Sequence, residues 1–412
     1  VINSYYKKVA TLVSGTVLAQ IIALGLYPIL SRIFTAEEFA AYGVFTAIVT
    51  PMAILITLRY EAAIVLPKKD LDSLHIWWVS ILLALAFSAS IFLLTLIFSN
   101  QLLELFSNKI SLSTLLLIPL GALSIAVYQA LTYLGLSRSS YRSISISKVV
   151  QSLVLGVSQV GLFFIITNSL IIGFIIGQLF AAIYLFCNFK PGMNVINKSS
   201  LKRNALTFSD YPKFNALPSF LDTFTLQLPL IIVATGSDFA VAGYLTLVFR
   251  ILAAPAAVIG GAVGQVFLKE ISDTINEGSR KLMPILNRTL LKLSILSLCA
   301  FLPVYFFGDY LFAFVFGDKW SVAGEYAQII CIAIGARFIV SPLSTLLGVS
   351  NHLKLAALWK VAYFVSTFIM LSFAITQETD SFLLYFVLNE LIMYSIYLSA
   401  IFYAAKNVKN RN

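Results

Sequence analysis

Asp222 and Arg250 are ionisable residues set deep in apolar sequence, where a charge has either a purpose or a partner. They lie in the stretch from Phe208 to Lys269, FSDYPKFNALPSFLDTFTLQLPLIIVATGSDFAVAGYLTLVFRILAAPAAVIGGAVGQVFLK, which reads as two apolar segments joined by TGSD. Each segment is long enough to cross a hydrocarbon core of about 30 Å. An ionised group at that depth is costly unless it faces protein or a water-filled cavity, so the pair points to a transport path. Pro212, Pro218 and Pro229 in the first segment and Pro255 in the second add helix breakers, and Pro218, Pro229 and Pro255 are candidate hinges.

Arg250 is about ten residues from the outer end of its segment, hence roughly 15 Å deep at 1.5 Å per residue. Asp222 reaches a similar depth from the inner end of its own. Two readings follow: a structural ion pair, or a coupling pair in which Arg250 is released in one conformational state to bind an anion. Elsewhere the basic residues expected within crossings are Lys213, Lys292, Arg337 and Lys360, and the other mid-helix acid is Glu390. Lys213, Lys292 and Lys360 are near enough to an end to snorkel. Glu390 either pairs with a neighbouring cation or titrates as a coupling carboxylate. A cationic excess fits an anionic cargo, because guanidinium groups grip phosphate oxygens bidentately, whereas a cationic drug or sodium needs carboxylates to dominate. Tyr211, Tyr244, Tyr326 and Tyr363 could stack on sugar rings.

The elements that hold these residues are membrane helices. The chain is 59% hydrophobic and 11% charged, with mean hydropathy +0.92, whereas soluble domains carry about 25% charged residues. Twelve crossings are expected, at 9–30, 39–60, 74–98, 112–136, 146–167, 169–187, 212–234, 240–266, 285–307, 323–348, 354–375 and 381–404. The fold class is therefore an all-α integral membrane protein, with two pseudo-symmetric six-helix lobes around a central cavity. Basic residues recur in every segment of one side, from Lys7, Lys8, Lys68 and Lys69 through Arg138, Arg142, Lys148, Lys202, Arg203, Arg280 and Lys281 to Lys409 and Arg411. The other side holds only Arg32, Lys109 and Lys319. This positive-inside bias places both termini in the cytoplasm. The net charge of +10 is then mostly topology, and no nucleic-acid partner is expected. Trp77, Trp78, Trp320 and Trp359 fall at expected helix ends, as an interfacial belt would place them. The opening VINSYYKK shows no cleavable-signal pattern, so the first crossing is expected to act as its own insertion signal.

A basic, turn-rich segment, 188–209, divides the chain into lobes 1–187 and 210–412. An echo between the lobes supports this: Glu38-Phe-Ala-Ala-Tyr-Gly-Val-Phe-Thr46 aligns with Asp238-Phe-Ala-Val-Ala-Gly-Tyr-Leu-Thr246. An even number of crossings separates the copies, which implies a parallel repeat. No GxxxxGK[ST] loop, HExxH motif or catalytic soluble domain is present, and Cys187, Cys299 and Cys331 read as packing residues. No cofactor and no metal are expected.

The stretches LYPILSRIFTAEEFAAYGVFTAI, LRYEAAIVLPKKD, DYPKFNALPSFLDTFTLQLPLIIVA, AGYLTLVFRILAAPAAVIGGAVGQVFLKEI, FVFGDKWSVAGEYAQI and RFIVSPLSTLLGV span nearly the whole chain. In order and coverage the chain resembles the Wzx-type O-antigen and polysaccharide flippases of the multidrug/oligosaccharidyl-lipid/polysaccharide exporter superfamily. The resemblance implies alternating access that carries a polyprenyl-pyrophosphate-linked oligosaccharide from inner to outer leaflet of a bacterial inner membrane. It also implies a monomer, not an enzyme, that works beside a polysaccharide polymerase and chain-length proteins. By similarity Arg32, Arg59, Arg250 and Arg337 are the basic positions for headgroup binding or gating, with Lys360 and Lys213 as further cavity cations. Arg59 also reads as ordinary boundary charge beside Glu61, and Arg32 fits an exit gate better than first binding.

Three rivals remain. An ion-coupled exporter of small organic solutes would need a dominant acidic site, for which only Asp222 and Glu390 are available. A membrane glycan polymerase or ligase would want a large outer loop. A non-transporting scaffold would leave Arg250 and Asp222 unexplained.

Overall fold

The computed structural model describes residues 2–192, 197–236, 238–276, 282–350 and 352–407, with the backbone alone for 2–10 and 276. Ser237 of the TGSD turn and the basic residues Arg280, Lys281, Lys409 and Arg411 lie outside them. Among the described residues twelve helices are long and apolar enough to cross a bilayer. They are α1 (Ile2–Ile33), α2 (Ala36–Thr57), α3 (Asp70–Ile97), α4 (Leu112–Ser137), α5 (Tyr141–Gly161), α6 (Ser169–Phe189), α7 (Tyr211–Thr235), α8 (Phe239–Asn276), α9 (Leu282–Phe316), α10 (Asp318–Val349), α11 (Leu353–Ala374) and α12 (Thr379–Lys406). Large apolar side chains such as Ile97, Val157 and Phe314 stand outward on them, which suits lipid and would be an aggregation hazard in water.

Local chemistry sets the breaks. A capping box starts α2, where the Thr35 side chain accepts from the Glu38 amide and Glu38 from the Thr35 amide. The fifth and sixth crossings, close enough in sequence to read as one, are parted because α5 stops at Gly161 and Asn168 turns left-handed before α6. The seventh begins with a π-helical turn, Tyr211–Ala216, before continuing as α-helix from Leu217. Pro218 has no amide hydrogen for the preceding turn, and the widened winding accommodates the missing bond. Pro229 and Pro255 lie inside α7 and α8, which continue through them as α-helix.

The chain forms two compact units, 1–243 and 244–412. In the first, α5 packs on α1 and α6, α4 on α2, α3 and α6, and α7 on α2. In the second, α10 packs on α9 and α12, and α12 on α11. The boundary between these units falls at Gly243, after α7, which buries Leu228, Leu230, Val233 and Ala234. Both copies of the echo start helices: Asp238 accepts from the Ala240 amide at 2.9 Å, as Glu38 caps α2. The second copy's glycine is a close approach, since a Cβ on Gly243 would come within 1.8 Å of the Ala36 carbonyl oxygen.

The ninth crossing, expected over 285–307, runs further: α9 bends at Phe307 and stays helical to Phe316. Gly308 and Gly324 there press on each other's backbone. The tryptophans form no lipid-facing belt. Trp77, Trp320 and Trp359 are buried in protein, and the Trp78 indole donates to the Gly192 carbonyl at 3.4 Å.

Candidate functional site

In the second unit three helices converge on one carboxylate. Glu390 of α12 is 0% exposed. Arg337 reaches it from α10, with Nη2 2.7 Å from Oε2, while Tyr363 of α11 donates its hydroxyl to Oε1. Both carboxylate oxygens are therefore satisfied. The same Nη2 lies 3.2 Å from the Tyr363 hydroxyl, and the guanidinium sits 5.9 Å from the Tyr394 ring centre. Trp359 stacks between Tyr363 and Tyr397 at 4.9 and 3.8 Å and donates its indole N–H to the Met393 carbonyl at 2.8 Å. This aromatic wall holds the pair. Just past Arg337 the winding tightens into a 3-10 turn, Ser341–Ser344, at Pro342.

The first unit carries a second pair, built differently. Beyond α2, Leu58 and Arg59 are both left-handed, at φ 49° and 66°, a conformation that costs non-glycine residues about 1–2 kcal/mol each. The resulting corner leads into the short helix Tyr60–Ala63 and aims Arg59 Nη1 at Glu61 Oε1, 3.2 Å away. Glu61 is 0% exposed and the Arg59 side chain 27%. Among the described residues Glu61 Oε2 is buried with no hydrogen-bond partner. Burial pushes the Glu61 carboxyl above its ordinary pKa, against the lowering effects of the Thr57 hydroxyl and the Arg59 charge. The Thr57 hydroxyl itself donates to the Ala53 and Ile54 carbonyls. The Tyr60 hydroxyl donates to the Ala205 carbonyl at 2.9 Å and so ties the corner to the helix Lys198–Thr207.

The remaining candidates fall on other elements. Asp222 is half-buried on α7 in the first unit and Arg250 half-buried on α8 in the second. Arg32 is exposed at the end of α1. Lys213 is exposed on the π-helical turn, with Nζ 3.5 Å from the Ser209 hydroxyl, and Lys360 is half-buried beside Trp359. Of the tyrosines offered as sugar platforms, Tyr363 is a partner of Glu390, and Tyr244 packs edge-on against Trp320 and Tyr326.

Lys148, grouped with the basic residues of one side although it falls inside the expected crossing 146–167, is the eighth residue of α5 and donates to the Thr16 hydroxyl of α1 at 2.7 Å. The helix starts earlier than expected, at Tyr141, because the polar stretch YRSISISK joins it. Arg138 also does more than mark topology, since it grips both oxygens of Asp70 at 2.7 and 2.8 Å and donates to the Phe189 carbonyl at 2.8 Å.

Residues 29–325 match the profile of a family described as "Polysaccharide biosynthesis protein". No curated protein matches the chain in sequence. Among solved structures it is similar to the lipid II flippase MurJ in an inward closed conformation, at TM-score 0.73 and 14% identity over 95% of this chain and 87% of that one. An inward-facing multidrug resistance MATE family transporter of the MOP superfamily gives TM-score 0.72 and 12% identity, covering 95% and 96%. A point mutant of the Vibrio cholerae MATE transporter VcmN gives 0.59 and 13%, covering 97% and 95%. At these identities the likeness establishes a shared fold.

Proposed function

Since the chain belongs to the polysaccharide biosynthesis protein family, we propose that it is a flippase that carries a polyprenyl-pyrophosphate-linked oligosaccharide, an O-antigen or similar repeat unit, from the inner to the outer leaflet. The family match carries the reading, and the fold shared with a lipid II flippase supports it. The membrane is a bacterial inner membrane with both chain termini cytoplasmic, the protein works as a monomer, and polysaccharide polymerase and chain-length proteins are its neighbours. Alternating access between lobes 1–187 and 210–412 moves the headgroup, while Pro218, Pro229 and Pro255 give α7 and α8 their compliance.

Headgroup binding falls to cations that can exchange one partner for another. Arg337 is held by Glu390 and Tyr363, so it serves as an anion ligand only in a state where Glu390 lets go. Arg250 is the main pyrophosphate ligand, with Asp222 as its resting partner; Arg59, Lys360 and Lys213 line the route, and Arg32 gates the exit.

The second reading, an ion-coupled exporter of small organic solutes, is favoured by the near-equal likeness to a multidrug transporter. A leaflet assay separates the two: purified protein in liposomes with a labelled polyprenyl-pyrophosphate oligosaccharide, scored by sugar exposed to an external enzyme. Protein-dependent exposure that Arg250→Ala abolishes supports the flippase. Full exposure in the Arg250→Ala variant removes the role of Arg250. No exposure, with efflux of a soluble cation under an ion gradient, selects the exporter.

A further inference from the structure

The segment between α6 and α7 carries a ten-residue helix, Lys198–Thr207, whose two faces differ in kind. Asn197 starts it, its side-chain oxygen accepting from the Ser199 amide at 3.1 Å. Leu201, Asn204, Ala205 and Phe208 follow the i, i+3, i+4, i+7 spacing of one helix face, and that face meets protein. Leu201, Ala205 and Phe208 pack on the core that includes Tyr60, Leu74 and Trp77. Asn204 is buried and donates its side-chain amide to Asp72 at 3.3 Å, while the Ala205 carbonyl accepts from the Tyr60 hydroxyl at 2.9 Å. The helix is thus docked, and its roll about its own axis is fixed.

That roll turns Lys198, Lys202, Arg203 and Leu206 outward, all of them exposed. Leu206 is 64% exposed, and Arg203, although 3.7 Å from Asp72, keeps 69% of its side chain exposed. Every charged residue from 188 to 209 is basic, and the next acid, Asp210, is exposed beyond the helix. Only residues 208–210 separate the helix from α7, so it stands at a membrane boundary. Phe214 and Leu217, in the first turns of that crossing, continue the exposed apolar surface. A leucine among long basic side chains suits a phospholipid surface, because the apolar group enters the acyl boundary while the basic stems lie along it and their heads reach phosphate.

We propose that the outer face of the helix Lys198–Thr207 is a binding site for anionic phospholipid, with Lys198, Lys202 and Arg203 on headgroup phosphates and Leu206 among the acyl chains. The Arg203 guanidinium offers two parallel hydrogen bonds to one phosphate. The occupant is lipid of the surrounding leaflet, so the site goes beyond the cargo reading and stands without it. Its consequence is mechanical. The inner face of the helix holds Asp72 and Tyr60, so headgroups on the outer face add to the hold on the corner that follows α2.

The test places Leu206→Trp in the full chain in nanodiscs and reads its fluorescence above that of the parent. Bromine is carried on the acyl chains of either phosphatidylglycerol or phosphatidylcholine, at equal mole fractions. Each cation near an anionic surface is worth about fivefold in affinity, so brominated phosphatidylglycerol should quench the new tryptophan as if enriched about fivefold or more. High salt should narrow the difference. Changing Lys198→Gln, Lys202→Gln and Arg203→Gln together should abolish it, and the fold should survive, since all three side chains are exposed. Absence of quenching by either lipid, the result a soluble acidic partner would give, overturns the proposal. Equal quenching by both lipids overturns the anionic selectivity, and a preference that survives the triple change overturns these cations as the site. Melting in uncharged detergent reads the coupling: added phosphatidylglycerol should raise the Tm of wild type more than phosphatidylcholine of the same chains does. An equal rise in the triple variant overturns the hold on the corner. Flipping in the leaflet assay is separate, since the cargo reading can fail with the lipid site intact, and the lipid site can fail with flipping intact.

Discussion

Arg59–Glu61 and Arg337–Glu390 are the same chemistry in two settings. Both glutamates are wholly buried and both arginines partly reachable, at 27% and 20%. In the second unit the pair joins two helices, a third adds Tyr363, and an aromatic stack closes it off. In the first unit it spans two residues of one strained corner. Neither pair is wholly matched, since among the described residues Glu61 Oε2 in one and Arg337 Nε in the other are buried with no hydrogen-bond partner. The contrast is between a lock framed by separate helices and aromatic rings and a pair carried by a single bent segment.

The largest way to break the comparison is to remove one partner of the lock. Glu390→Ala strands Arg337 in a buried site and should cost about 3–5 kcal/mol in unfolding free energy, whereas a double change to Arg337→Met and Glu390→Leu should recover most of it. A melt showing the single variant as stable as wild type would mean the pair is not buried in function. Tyr363→Phe makes the lock resemble the corner, by leaving Glu390 Oε1 without its hydroxyl. A loss of about 1–3 kcal/mol is expected, measured by denaturant titration in detergent.

The corner should respond to pH in a direction that can be worked out. Burial raises the folded-state pKa of Glu61, so the folded protein holds more protons than the unfolded chain between the two pKa values. That contribution is full below the ordinary glutamate range and is lost as pH rises through the raised value. Stability measured against Glu61→Gln should therefore decline as pH rises through that window, and a flat difference would contradict the burial argument. The smallest effect belongs to an exposed pair: Asp70→Asn, opposite Arg138, should cost less than about 1 kcal/mol despite its bidentate geometry. A larger loss would show that the Arg138 contact to Phe189 depends on it.

Much of the fold was legible because lipid imposes a simple rule. Twelve apolar runs were placed near their final ends from hydropathy alone, and α4 begins at residue 112 as expected. The failures have physical causes. Phe307 to Phe316 reads as a loop because Gly308 and Asp309 interrupt an apolar run, yet close packing of Gly308 on Gly324 needs a helix there. The tryptophans read as interfacial, but Trp320 fills the protein interior beside Tyr244. The site was legible as a set of types and not as a set of pairs. Arg337 and Glu390 stood out by depth, while Tyr363 looked like any of the abundant tyrosines, and Arg59 also read as boundary charge beside Glu61.

By itself the sequence determined the class, the number of crossings and the family, because those follow from composition, length and ordered motifs along one chain. Only the tertiary structure decided which charges meet. An ion pair depends on helix rotation and on which helices adjoin, and Arg337 and Glu390 are 53 residues apart. Nor could one dimension show that Glu61 is wholly buried, since that is the joint result of a left-handed corner and the packing of α3, α4 and the turn Tyr211–Ala216 against the short helix that follows it.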